Sequence, residues 1–237
     1  GLFQLNPDGT YLLYNQGNPM ANYTQKEIEN FARVFTGWTY PTLPGATPKD
    51  HNPTNFSGTM ELYPVNHDTD EKTLLNGRLL PGGQSGKKDL DDALDNIFQQ
   101  DSVGPFIGRQ LIRHLVTSNP SPAYVARISA AFQDNGKKVR GDLGAVVKAI
   151  LLDPEARGAE RLDSAFGHLR NPVLFVTHLL RALDGVSDGL YLKDQTSRMR
   201  QNVFFSPTVF NYYPAGYRKF GVDPSDDGSG DARIRPE

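Results

Sequence analysis

The stretch Asn66-His67-Asp68-Thr69-Asp70-Glu71-Lys72 gathers an imidazole, three carboxylic acids and an ammonium, and runs through Thr73 into Leu74-Leu75-Asn76-Gly77. An imidazole oriented by a carboxylate is the usual arrangement for general base work, and histidine titrates in the useful range. His67 with Asp68 fits that pattern, and Lys72 would stabilise negative charge as it develops. One imidazole with two or three carboxylates is also a donor set for a divalent metal. A third reading makes His67 and Asp68 a structural clamp that satisfies loop backbone and holds the segment to its neighbours. His51, His114, His168 and His178 are further imidazoles that folding could bring to the cluster.

A calcium reading fails on the same residues. Asn66, Asp68 and Asp70 alternate as in an EF-hand loop, but Glu71 replaces the turn glycine and Gly77 replaces the closing glutamate. Asp223, Ser225, Asp227, Gly228 and Asp231 in the tail match better, yet Ile234 takes the place of the closing acid.

Three other places carry binding chemistry. Trp38, the only tryptophan, follows a helix stop and either stacks on a planar ligand or locks the helix end into the core. Arg109 and Arg113 stand one turn apart, where they either clamp an anion or pair with loop acids such as Asp68 or Glu71. Asn211-Tyr212-Tyr213-Pro214-Ala215-Gly216-Tyr217 gathers tyrosines at a turn, as a ligand platform or as core caps. Leu80-Pro81-Gly82-Gly83-Gln84-Ser85-Gly86-Lys87 lacks the spacing of a phosphate-binding loop, and no Gly-x-Ser-x-Gly or His-Glu-x-x-His motif is present.

The elements that must position these residues are mostly helical. A capping-box pair, Thr24 and Glu27, opens a helix to about Thr36 with Ile28, Phe31, Ala32 and Phe35 on its apolar face, stopped by Gly37. Residues 38–88 read as one long irregular loop, broken by six prolines, with short extended pieces near Met60–Tyr63 and Arg78–Leu80. Helices resume at about Asp89–Gln100, with Leu90, Leu94, Ile97 and Phe98 on one side, and at Ser102–Val116. Another follows the Ser121-Pro122 start, one carries Leu143 to Leu151, one follows Asn171-Pro172, and a short one covers about Leu192–Gln201. The fold class is therefore mostly α: a single domain of antiparallel helices, residues 1–222, with one long loop and a Gly/Ser-rich acidic tail over 223–237.

Composition narrows the function classes. The 237 residues suffice for a substantial core, and 25 basic against 27 acidic residues argue against nucleic acid as partner. No apolar run is long enough for a membrane span. The absence of cysteine removes disulfides and thiolate chemistry without fixing the compartment. The Gly1-Leu2-Phe3 opening reads as a processed or truncated product, so a missing targeting segment carries no information.

The order of motifs resembles the bacterial domain-of-unknown-function family 1800. Tyr23-Thr24-Gln25 opens a helix ending in Phe35-Thr36-Gly37-Trp38-Thr39. His67-Asp68 and Lys72-Thr73-Leu74-Leu75-Asn76-Gly77 follow, then Phe106-Ile107-Gly108-Arg109-Gln110-Leu111, Asn119-Pro120-Ser121-Pro122, Arg170-Asn171-Pro172 and a Met199-to-Pro207 segment. Asn211-Tyr212-Tyr213-Pro214 stands where the family typically shows Gly-Trp-Pro. The resemblance implies an exported bacterial protein, periplasmic or extracellular, and no reaction. The leading expectation is a binding or interaction module for an envelope or extracellular polymer, a glycan or acidic polymer, through Trp38, Arg109, Arg113, Tyr212 and Tyr213. The alternatives are a hydrolase using His67, Asp68 and Lys72, with Arg113 also available to stabilise charge, and a structural subunit with protein partners. No cofactor is expected beyond the divalent metal that the acids of the cluster could hold.

Overall fold

A computed structural model describes residues 2–159, 166–199, 205, 206, 209 and 212–217. The tail expected over 223–237 lies outside them. Among the described residues the chain is mostly helical, with eight α-helices and two small two-stranded antiparallel sheets. None of these helices is long and apolar enough to cross a membrane. The chain divides into two compact units.

Unit 1 comprises residues 2–6 and Tyr11–Val103. Its first helix, α1 (Gln25–Val34), starts where the sequence places it, because Glu27 accepts the Thr24 backbone N–H at 2.7 Å. The face it buries differs from the expected one. Val34 and Asn30 are buried and Phe31 packs on the core, while Ile28, Ala32 and Phe35 are exposed. The apolar period placed the stripe correctly but not the core, since Asn30 and Arg33 turn inward to meet the loop.

The segment expected as loop contains four short strands. β1 (Trp38–Thr39) pairs with β2 (Glu61–Leu62), Trp38 opposite Leu62, and β3 (Lys72–Thr73) pairs with β4 (Leu79–Leu80). Between β1 and β2 the chain forms a lobe organised by buried Asn52. Its N–H donates to Thr39 Oγ1 at 3.0 Å, and its Nδ2 donates to the Tyr40 carbonyl and to Thr42 Oγ1 at 2.8 and 3.2 Å. Asn55 Nδ2 ties the second half to the Pro41 carbonyl at 3.1 Å. Helix α2 (Gly86–Phe98) begins three residues earlier than the periodicity suggests, because Ser85 caps it by accepting the Lys88 N–H. It buries Asp89 and Ala93, whereas Leu94, Ile97 and Phe98 are exposed. Val34, Leu74, Leu80 and Ala93 form the core beneath.

Unit 2 comprises Pro7–Thr10 and the described residues from Gly104 on. It holds α3 (Val103–Leu115) from its second residue, α4 (Pro122–Gln133), α5 (Leu143–Leu152), α6 (Pro154–Arg157), α7 (Pro172–Ala182) and α8 (Leu190–Arg198). Ser121 caps α4 with Pro122 at the first helical position. Gly108 lets α3 approach α4, since a Cβ there would stand 3.0 Å from Ile128 Cγ2. The fully buried Tyr124 donates its hydroxyl proton to the Ile150 carbonyl at 2.6 Å, joining α4 to α5. Burial pushes the Tyr124 phenol well above its ordinary value, so it stays a donor. Arg127 grips Asp153 through two bonds of 2.7 Å.

Tyr124→Phe removes one buried hydrogen bond while keeping the ring. Urea unfolding is expected to show a loss of about 1–2 kcal/mol, the range for a buried carbonyl deprived of its donor. An unchanged midpoint would assign the α4–α5 contact to packing alone.

Candidate functional site

The residues singled out around His67 converge in the structure, with partners the sequence did not suggest. Asp89, in the first turn of α2, is the centre. Its Oδ2 accepts Lys72 Nζ at 2.8 Å and His67 Nε2 at 3.1 Å, and its Oδ1 accepts Gln84 Nε2 at 2.7 Å. The side chains of His67, Lys72 and Asp89 are each no more than 2% exposed. The first turn of a helix favours a carboxylate, so α2 supports this charge as well.

Each donor is accounted for. Lys72 Nζ also donates to the carbonyls of Asp68 and Asp70 at 2.5 and 2.9 Å, which fills all three ammonium hydrogens. His67 Nδ1 lies 3.1 Å from the Thr36 carbonyl and 3.4 Å from Thr36 Oγ1. The Thr36 hydroxyl spends its own hydrogen on the Arg33 carbonyl at 2.6 Å and accepts the Asp68 N–H at 2.8 Å. Both ring nitrogens of His67 therefore face oxygen acceptors, and neither faces open space.

Asp68 does not orient His67. It forms a two-bonded pair with Arg33 of α1, Nε to Oδ2 at 2.7 Å and Nη2 to Oδ1 at 3.0 Å, and takes the Asp70 N–H at 3.0 Å. Arg33 Nη1 adds the Asn30 side chain and the Glu71 carbonyl at 2.9 and 3.1 Å. The Arg33 guanidinium holds the Asp68 carboxyl well below the usual carboxylate range, and Asp68 in turn raises Arg33. Burial opposes ionisation of Asp89, but hydrogen bonds from Lys72, Gln84 and His67 together outweigh it and hold that carboxyl low too.

Two glycines make room for His67, Gly86 for its ring and Gly37 for its backbone. A Cβ on Gly86 would stand 2.9 Å from His67 Nδ1 and 2.7 Å from Leu62 Cδ1. Gly37, at φ +82°, would bring a Cβ within 3.0 Å of the His67 N and 2.9 Å of the Tyr63 carbonyl. The ring is thus pressed between the end of α1 and the start of α2.

The other expected site residues lie apart from this network or in other roles. Trp38 is half-buried opposite Leu62, and its Nε1 is enclosed without a hydrogen-bond partner among the described residues. The pairing of Arg109 or Arg113 with Asp68 is replaced by Arg33. Arg109 donates to the Gly9 carbonyl at 3.3 Å, within unit 2, and Arg113 is buried with its carbonyl bound by His168. Tyr212 and Tyr213 are half-buried, with the Tyr213 and Tyr217 ring centroids 4.6 Å apart. Among the described residues no group of three His, Cys, Asp or Glu side chains is arranged to hold a metal. Arg33, Thr36, Gln84, Gly86 and Asp89 were missed. For Asp89 a signal existed: Ser85 three residues before Lys88 marks the helix start that puts this acid in the first turn.

A family model described as "Protein of unknown function (DUF1800)" matches residues 10–220. The chain belongs to this family. No curated protein and no solved structure matches it. Membership in this family brings no reaction with it. An imidazole held at both nitrogens and a carboxylate bound by three donors form a closed knot joining α1, the loop and α2.

Breaking a buried pair by removing one partner leaves the other charge uncompensated, at about 3–5 kcal/mol. Asp89→Ala is therefore expected to lower the thermal midpoint by on the order of 10 °C or more. A chelator is expected to leave the wild-type midpoint in place, and a chelator-induced drop would instead assign the acids to a metal. Because Asp68 and Asp89 have lowered values when folded, the unfolded chain binds more protons as acid is added. Their stabilisation is present above about pH 4 and is lost as pH falls through the folded values. Thermal melts at descending pH are expected to show this decline, with a shallower slope in Asp68→Asn.

Proposed function

We propose that this domain is a binding or interaction module for a polymer of the cell envelope or extracellular space, a glycan or acidic polymer. The observation that carries the reading is the lobe between β1 and β2. There Phe56 is 85% exposed and stands edge-to-face against Tyr40, itself 39% exposed, with ring centroids 5.7 Å apart. Asn52 and Asn55 brace the backbone beneath both rings. A large exposed aromatic on a rigid mount supplies contact area with little ordering entropy. Sugar rings and extended chains both present flat apolar faces to such a surface.

The hydrolase reading has less support. A general base must reach the proton it abstracts, and His67 is enclosed with acceptors at both nitrogens. A structural subunit of a larger assembly is favoured by a different feature, the exposed stripe Ile28, Ala32 and Phe35 on α1. An apolar helix face of that kind fits a protein partner.

Affinity electrophoresis through gels containing peptidoglycan fragments, a neutral glucan or a polyuronate tests the polymer reading. Retardation by at least one polymer is expected, weakened about fivefold or more in Phe56→Ala with the melting temperature unchanged. Free migration through every gel would overturn it, and a concentration-dependent oligomer abolished by Phe35→Glu would favour the assembly instead.

A further inference from the structure

A second place in the molecule carries unused binding chemistry. Within unit 2 a cavity of about 180 Å³ lies at the start of α7, lined by Ser118, Arg170, Asn171, Leu174, Tyr213 and Tyr217 among others. A cavity of roughly 150 Å³ takes a benzene ring, so this one has room for a single substituted six-membered ring.

Its walls are fixed by contacts behind them. Ser118 N–H donates to the Gly167 carbonyl at 3.0 Å, and the Gly167 N–H returns to Thr117 Oγ1 at 2.9 Å. His168 Nε2 donates to the Arg113 carbonyl. The Tyr217 N–H closes a turn on the Pro214 carbonyl at 2.8 Å, which sets the Tyr213 and Tyr217 rings at 38° to each other.

Three polar groups are left unspent. Asn171 is the N-cap of α7 but makes no side-chain cap bond, and its Oδ1 is sheltered without a donor among the described residues. Ser118 is only 5% exposed, and its hydroxyl makes no hydrogen bond among the described residues. Arg170 is exposed and forms no ion pair among the described residues. None of the described lining residues is acidic.

Each group limits the ligand. A sheltered carbonyl oxygen wants a donor. That donor is better a neutral hydroxyl than an ammonium, because Arg170 and the positive end of α7 both stand at the site. The guanidinium wants a carboxylate or comparable anion. The tyrosine rings and Leu174 want an apolar face. A hydroxylated ring with one carboxylate meets all of these at once.

We propose that this cavity binds a single acidic sugar residue of uronic-acid type, its carboxylate on Arg170, a hydroxyl donating to Asn171 Oδ1 and its C–H face on Tyr213 and Leu174. This goes beyond the aromatic lobe, which belongs to unit 1, so either site stands if the other fails. The source of the residue is a free sugar acid or the end of a polyuronate.

Isothermal titration of the full chain with D-glucuronate and with D-glucose tests the proposal. Saturable glucuronate binding is expected, with glucose weaker by about tenfold or more, the usual scale of a charge-assisted hydrogen bond. Arg170→Gln, an exposed change that leaves the fold intact by circular dichroism, is expected to bring glucuronate down to the glucose level. Asn171→Leu keeps the side-chain shape without the acceptor and is expected to weaken both sugars. Competition by a polyuronate would assign the site to chain ends, and its absence would assign it to the free sugar acid; either result upholds the proposal. No saturable glucuronate binding, or binding indifferent to Arg170→Gln, would overturn it.

Discussion

Unit 1 depends on one buried ion pair, Lys72 with Asp89. Taking an ammonium and a carboxylate out of water is unfavourable unless every remaining proton and lone pair finds a partner. Here they do: the lysine fills its other two hydrogens with the carbonyls of Asp68 and Asp70, and the aspartate takes Gln84 and His67 besides. Those four requirements dictate where the backbone of residues 67–73 must run. The loop has little regular secondary structure because its polar groups are committed to side chains instead of to a sheet.

The same requirement explains the odd face of α1. A helix with Ile28, Phe31, Ala32 and Phe35 on one side would ordinarily turn that side inward. Arg33 and Asn30 have a stronger claim, since Asp68 must be paired and the Glu71 carbonyl satisfied. The helix rotates to serve them, Val34 follows into the core with Phe31 packed beside it, and Ile28, Ala32 and Phe35 are left outside.

Local chemistry was legible in the sequence and tertiary chemistry was not. Thr24 with Glu27 and Ser121 with Pro122 mark helix starts because capping involves residues within one turn, and Pro172 marks another by standing at the first helical position. The extended pieces at 61–62 and 79–80 were equally readable. The family match over residues 10–220 agrees with the motif order. The carboxylate against His67 was misjudged because Asp68 is adjacent in sequence while Asp89 is 22 residues away. Adjacent residues on an extended chain point to opposite sides, so Asp68 was badly placed to orient its neighbour. Nothing local announces that Arg33 will cross 35 residues to reach it.

The pairing of Trp38 with Leu62 means that the lobe leaves and re-enters the body of unit 1 at a single point. Its internal order comes from Asn52 and Asn55, whose side-chain amides donate to the Tyr40 and Pro41 carbonyls within the lobe, and the Asn52 N–H ties it to Thr39 of β1. Chain length between two adjacent anchor points enters stability only logarithmically. The lobe is in that sense a cartridge: the segment between β1 and β2 can lengthen, shorten or change its surface while the knot at Asp89 is untouched. A domain built this way can vary the surface of the lobe without renegotiating how it folds.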